Sequence, residues 1–243
     1  MHITSEQLLD DGVVERRFTL GDVPGIVWTS GTTIGSRPLI LMGHPGGLQQ
    51  MYPRLLGRAR RAIADGFAAA SIELPGSGDR PKIAALEQAR VDLRQALQAG
   101  ERVSDDIVDR LVLPLVDQSV PEWQEALDAL LALPEIGGPV GFSGGVISIG
   151  VRLAAVEPRI MAIGLFAGSF IPRSIVEEAR HVTTPVHVLL QWDDEFNDRQ
   201  PALDLFDALG SREKTLLANL GGHTGVPSHA GEDAARFFAR HLR

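Results

Sequence analysis

Three residue types in separate settings carry the chemistry this sequence offers: a serine between glycines, a histidine in a glycine loop and a run of acids. The serine lies in Gly141-Phe142-Ser143-Gly144-Gly145, which has the Gly-x-Ser-x-Gly spacing. In that pattern the serine sits on a strained strand-to-helix turn, and the flanking glycines let the turn pack without side-chain clashes. With 26 glycines in 243 residues the spacing could arise by composition, so its setting matters more. An apolar strand over Val140 to Phe142 precedes the serine and an apolar helix over Gly145 to Val156 follows it, as the turn requires. A serine hydroxyl is a poor nucleophile at its free pKa. It therefore needs a base for its proton, an acid to orient the base, and amides to hold an oxyanion.

The base is expected in the loop after the last strand, where Gly221-Gly222-His223-Thr224-Gly225 places His223. His229 stands where the terminal helix begins and suits a cap or solvent. His187 stands in an apolar strand and suits a buried, satisfied imidazole. His2, His181 and His241 have no supporting context. The acid is expected after the preceding strand, where Trp192-Asp193-Asp194-Glu195 offers three carboxylates. Read as a calcium loop this run fails, because Asp198 occupies the place of an obligatory glycine.

With these residues the chain resembles the α/β-hydrolase family, and more narrowly its dienelactone-hydrolase-like and small carboxylesterase members, over residues 14 to 243. The resemblance implies the chain order Ser143, Asp194, His223. It favours Asp194 over Asp193, because Asp194-Glu195-Phe196-Asn197 matches the family's acid followed by a short apolar turn and a helix. It also implies an oxyanion hole made from the amide of Gly144 and one from the loop after an early strand. That loop reads His44-Pro45-Gly46-Gly47, similar to the family's His-Gly-x-Gly but with proline in the first glycine place. Proline has no amide hydrogen, so Gly46 becomes the second donor, with His44 the alternative in a shifted register. The implied activity is hydrolysis of an ester or related acyl compound through a Ser-His-Asp triad and an acyl-enzyme, with no cofactor and no metal. Lactone opening, C–C bond hydrolysis, peptidase and acyl-transfer chemistry use the same residues. A small-molecule-binding or non-hydrolytic protein of this fold is the alternative from another class.

The elements that must position these residues alternate along the chain. Val14 to Leu20 and Gly25 to Ser30 read as an antiparallel hairpin around Gly21-Asp22-Val23-Pro24. Leu39 to Met42 is a continuous apolar run suited to a strand buried on both faces. A helical pattern over Pro53 to Asp65 and a strand over Phe67 to Leu74 complete a βαβ unit. Strands follow at Ile160 to Phe166, Val186 to Gln191 and Thr215 to Ala218, then a helix from Ser228. The fold class is therefore α/β, a single domain built on a mostly parallel sheet with helices on both faces. Residues 80 to 120 break the rhythm as a helical insertion, with Leu86, Leu93 and Leu97 at helical spacing, then Ile107, Leu111 and Leu115 behind a Ser104 N-cap. By position this cap would roof the pocket. Ser119 and Glu122 form a capping box that predicts a separate helix over Trp123 to Leu133.

Bulk properties narrow the function classes. A formal net charge of −8 argues against a nucleic-acid partner, which would require clustered Lys and Arg. A small or neutral substrate is expected instead. There is no cysteine, so thiolate metal sites and disulfides are excluded. Gly76-Ser77-Gly78 lacks the third glycine of a dinucleotide fingerprint, and neither a Walker loop nor a His-Glu-x-x-His motif is present. The polar, acidic stretch Met1 to Gly12 is unlike a signal peptide and no apolar run reaches membrane-spanning length. The expectation is a cytoplasmic protein with no membrane partner; a homo-oligomer is left open.

Overall fold

The structure, a computed structural model, describes residues 1–32, 35–168 and 170–243. A nine-stranded sheet has the order β1-β2-β3-β5-β4-β6-β7-β8-β9. Its strands are β1 His2–Leu8, β2 Val13–Leu20, β3 Val23–Ser30, β4 Arg37–Gly43, β5 Ala68–Ile72, β6 Ile136–Gly144, β7 Ile160–Phe166, β8 Val186–Gln191 and β9 Lys214–Asn219. The first three pair antiparallel, as does β3 with β5, and every pairing from β5 across to β9 is parallel. The helices are α1 Leu48–Ala64, α2 Ala84–Gln98, α3 Asp105–Leu131, α4 Ile147–Val156, α5 Arg173–Ala179, α6 Gln200–Ala208 and α7 Ser228–His241. One sheet face buries α1 and α7 through Leu55, Ala59, Phe237 and Phe238. The other buries α3 to α6 through residues such as Trp123, Leu127, Leu153, Ile175 and Leu205. The predicted hairpin, the βαβ unit β4-α1-β5 and the mostly parallel sheet are all present.

The crossover from β4 leads through α1 to β5 on one side, whereas β6 flanks β4 on the other. The chain thus leaves the C-terminal ends of β4 and β6 in opposite directions, and a crevice at such a switch point is where α/β sheets bind ligands. Both glycine-rich loops singled out in the sequence start there.

Two expectations change. The capping box at Ser119 opens no helix, because α3 is one helix running through Pro114 and Pro121. Its stripe of Val112, Leu115, Val116, Val120, Trp123, Leu127 and Leu130 is buried along its length. Each large apolar side chain contributes about 1.5–3 kcal/mol on burial, which together exceeds the cost of two prolines at about 3 kcal/mol each. Ser119 is buried within that stripe instead of capping. Ser104 does cap the helix, its hydroxyl accepting the Ile107 amide at 3.4 Å. Residues 80 to 120 thus hold α2 and the first half of α3. The polar N-terminus forms β1, whose residues are all exposed and which pairs with β2.

Candidate active site

Ser143 is the last residue but one of β6, paired with Met42 on β4 and Gly164 on β7. Its hydroxyl lies over Gly164, 3.6 Å from where a Cβ would stand there. The turn comes one residue later than the sequence pattern suggests. Gly144 and Gly145 carry φ of 77° and 78°, and no described non-glycine residue has positive φ. Glycine adopts that region without a Cβ penalty. The glycine spacing answers to packing on both sides. A Cβ on Gly145 would come within 2.8 Å of the Gly43 Cα, and one on Gly141 within 2.9 Å of Phe238 and Leu242 side-chain atoms. Helix α7 can therefore lie directly on β6, and the turn directly on β4.

The loops after β8 and β9 meet at His223. Its Nδ1 is 2.8 Å from Asp194 Oδ2. The Asp194 carboxylate also accepts the backbone amides of Phe196 at 2.9 Å and Asn197 at 3.2 Å, and the Asn197 side-chain amide at 3.0 Å. Burial alone would raise the Asp194 pKa, but these hydrogen bonds, His223 foremost, outweigh it and hold the carboxyl below its ordinary value. Asp193 is exposed. Glu195 takes a different part, accepting the backbone amide of His223 at 2.9 Å, which lowers its own pKa. Neighbouring acids thus grip one histidine by ring and by main chain. The imidazole packs edge-on against Phe166 and Phe196, each at 5.6 Å between ring centroids.

No hydrogen bond joins His223 to Ser143 among the described residues. Gly164 under the hydroxyl and Phe166 against the imidazole are two residues apart on β7, so they share a face. The serine and the histidine therefore adjoin one face of β7, at residues about 6.6 Å of strand rise apart.

The loop from His44 to Gly47 runs from β4 into α1. The His44 side chain is buried, with Nε2 2.9 Å from the Ile72 carbonyl, and burial pushes its pKa down. The amide of Leu48, the first residue of α1, is held by both carboxylate oxygens of Glu73 at 3.1 Å. Gly46 lies in this loop and Gly144 is the register partner of Gly43, so the two candidate donor segments adjoin. Arg58, on α1, donates to the carbonyls of Gly43 at 2.9 Å and Ser143 at 2.6 Å.

Neither a family model nor a curated protein matches the sequence. Solved structures do match. The PEG-bound complex of a cold-adapted esterase from an Arctic intertidal metagenomic library is similar at TM-score 0.77 and 27% identity, covering 99% of this chain and 98% of its own. The chain has the α/β-hydrolase fold. Acetyl xylan esterase 1 from Thermoanaerobacterium sp. JW/SL YS485 shares the fold at TM-score 0.68 and 12% identity, over 98% of this chain and 87% of its own. A candidate dienelactone hydrolase from Klebsiella pneumoniae subsp. pneumoniae MGH 78578 does so at 0.68 and 14%, over 94% and 99%.

Within this α/β-hydrolase fold the other histidines lie apart from the site. His187 is buried on β8 against Phe237 at 5.6 Å, and His229 is exposed in the first turn of α7. Among the described residues no group of His, Cys, Asp or Glu could hold a metal ion, and no helix is long and apolar enough to cross a membrane. Sequence reasoning named Glu195 only as a competing acid and Asn197 only as part of the turn after Asp194, and it missed Glu73 and Arg58. Glu195 and Asn197 could have been found as partners of the loop that presents Asp194. Glu73 and Arg58 act on backbone atoms of distant segments, for which the sequence carries no local signal.

Proposed function

We propose that the protein is a serine esterase that cleaves a small, neutral or apolar carboxylic ester through an acyl-enzyme. The observation that carries this is the 2.8 Å contact between His223 and Asp194, at the C-terminal end of the sheet that also carries Ser143. The whole-length likeness to an esterase supports it. Ser143 attacks the ester carbonyl, His223 takes its proton and passes it to the leaving alcohol, and Asp194 holds Nδ1–H so that Nε2 is the basic nitrogen. Water activated by His223 then releases the acyl group. Catalytic hydrogen bonds often tighten only in the substrate complex, and on this reading the 221–227 loop closes the remaining distance to Ser143. Phe196 (69% exposed), Leu220 (83%), Trp192 and Val226 are exposed apolar residues on the two loops that carry Asp194 and His223. These residues, more directly than the helical insertion, are the surface for the apolar part of the ester. We place the enzyme in the cytoplasm, acting without cofactor, metal, nucleic acid or membrane.

Replacing Ser143 with alanine is expected to lower p-nitrophenyl acetate turnover by about 10⁴-fold or more with the melting temperature unchanged. Undiminished turnover would sink the assignment. Among the described residues the Ser143 hydroxyl has no hydrogen-bond partner, which favours a second reading, a binding protein that keeps the fold without the chemistry. Purified wild-type protein with no turnover on any ester of a graded series would support that reading.

A further inference from the structure

Several buried or half-buried arginines in this protein are answered by acids: Arg80 by Glu122, Arg152 by Glu178 and Asp117, Arg159 by Glu157 and Asp128. Arg58 is not. Among the described residues no carboxylate pairs with it, and burial, with Arg54 nearby, pushes its pKa down to about 10. It stays charged at neutral pH in a setting that disfavours the charge, and a group held in that way points to function. Its guanidinium spans β4 and β6 at their C-terminal ends, with Nη1 on the Gly43 carbonyl and Nη2 on the Ser143 carbonyl.

Those two carbonyls belong to particular peptides. A trans peptide is planar, with its C=O and N–H pointing opposite ways. The Ser143 carbonyl shares its peptide with the Gly144 amide, and the Gly43 carbonyl shares its peptide with the His44 amide. Drawing both carbonyls to one cation turns both amides away from it. Hydrogen bonds in series also polarise one another, so a charged donor on each carbonyl makes each amide a stronger donor. We propose that Arg58 is the positioning residue of the oxyanion hole, orienting and polarising the amides of Gly144 and His44. This rests on the esterase reading and selects His44, rather than Gly46, as the second donor.

The test compares wild type with Arg58→Lys and Arg58→Met on p-nitrophenyl acetate, and on phenylboronic acid as a mimic of the tetrahedral intermediate. Removing one direct oxyanion donor costs about 10²–10³ in kcat. Acting through peptides, Arg58→Met is expected to lower kcat about 10- to 100-fold with KM changed by less than about threefold. Boronate affinity should fall by the same factor as kcat, and Arg58→Lys should recover part of both. A structural role alone would lower the melting temperature without that parallel. Unchanged kcat in Arg58→Lys and Arg58→Met, or a fall in kcat with boronate affinity intact, would overturn the proposal. Should Arg58→Met not fold, Arg58→Lys decides by the same two readouts. A wild type without turnover would overturn the esterase reading and this one together, whereas an active wild type with indifferent Arg58 variants would overturn this one alone.

Discussion

At the scale of single residues, the site depends on how firmly one imidazole is held. Asp194 binds the ring of His223, Glu195 binds its main chain, and the Asn197 side-chain amide donates to Asp194 Oδ2. A Cβ on Gly222 would stand 2.5 Å from Glu195 Oε2, so glycine at 222 is what admits that carboxylate. Asp194→Asn keeps the shape but puts an amide donor against Nδ1, which favours the wrong tautomer. Kcat is expected to fall about 10⁴-fold with little change in KM, read from initial rates at pH 7; a fall of less than tenfold would remove Asp194 from the orienting role. The lowered Asp194 pKa has a definite sign for stability. Its folded value lies below its unfolded one, so the contribution is present above the ordinary carboxylate range and is lost as pH falls through the lowered value.

At the scale of elements, α3 supports the strand that carries the serine. Trp123 meets Phe142, the residue before Ser143, edge-on at 5.7 Å and 89°. Trp123→Ala should cost about 3–5 kcal/mol in denaturant unfolding and loosen β6 beneath the serine. A loss under 1 kcal/mol would show that this contact does not support the strand. The strands and the terminal helix were readable because their apolar runs are long and lie between glycine and proline turns, as Leu39 to Met42 and Val186 to Gln191 do. Strand β1 was not readable, because an exposed edge strand has no apolar alternation; its order comes from pairing with β2 and from Arg16 meeting Glu6. The extent of α3 was misread because Pro121 and the Ser119 box are local stop and start signals that a long buried stripe overrides. At the site, Ser143 stood out through its glycine spacing, His223 through loop position and Asp194 through the resemblance, which chose it among three neighbouring acids. The turn at Gly144 and Gly145 and the grip of Arg58 depend on contacts between distant segments, which no local pattern encodes.

At the scale of the whole molecule, charge networks fasten the helices to the sheet. Glu157, at the end of α4, accepts from the Arg159 side chain at 2.7 and 2.8 Å, the Arg159 amide at 3.0 Å and Gln124 on α3 at 3.3 Å. The Arg159 side chain, foremost among these, outweighs burial and draws the Glu157 pKa from 4.5 down to about 2. A depressed folded-state pKa means that this stabilisation is complete above about 4.5 and is lost as pH falls toward about 2. Glu157→Gln should therefore melt below wild type at pH 7, each kcal/mol reading as about 2–4 °C in a chain of this size. The gap should close across that acidic window; a constant gap would contradict the assignment. The central claim, that the strand-end crevice presents Ser143 as a nucleophile activated by His223, is tested most directly by fluorophosphonate labelling followed by intact mass and peptide mapping. The account predicts one adduct per chain, on Ser143, abolished in Ser143→Ala and strongly slowed in His223→Ala. An unlabelled wild-type protein, or an adduct on a different serine, would contradict it.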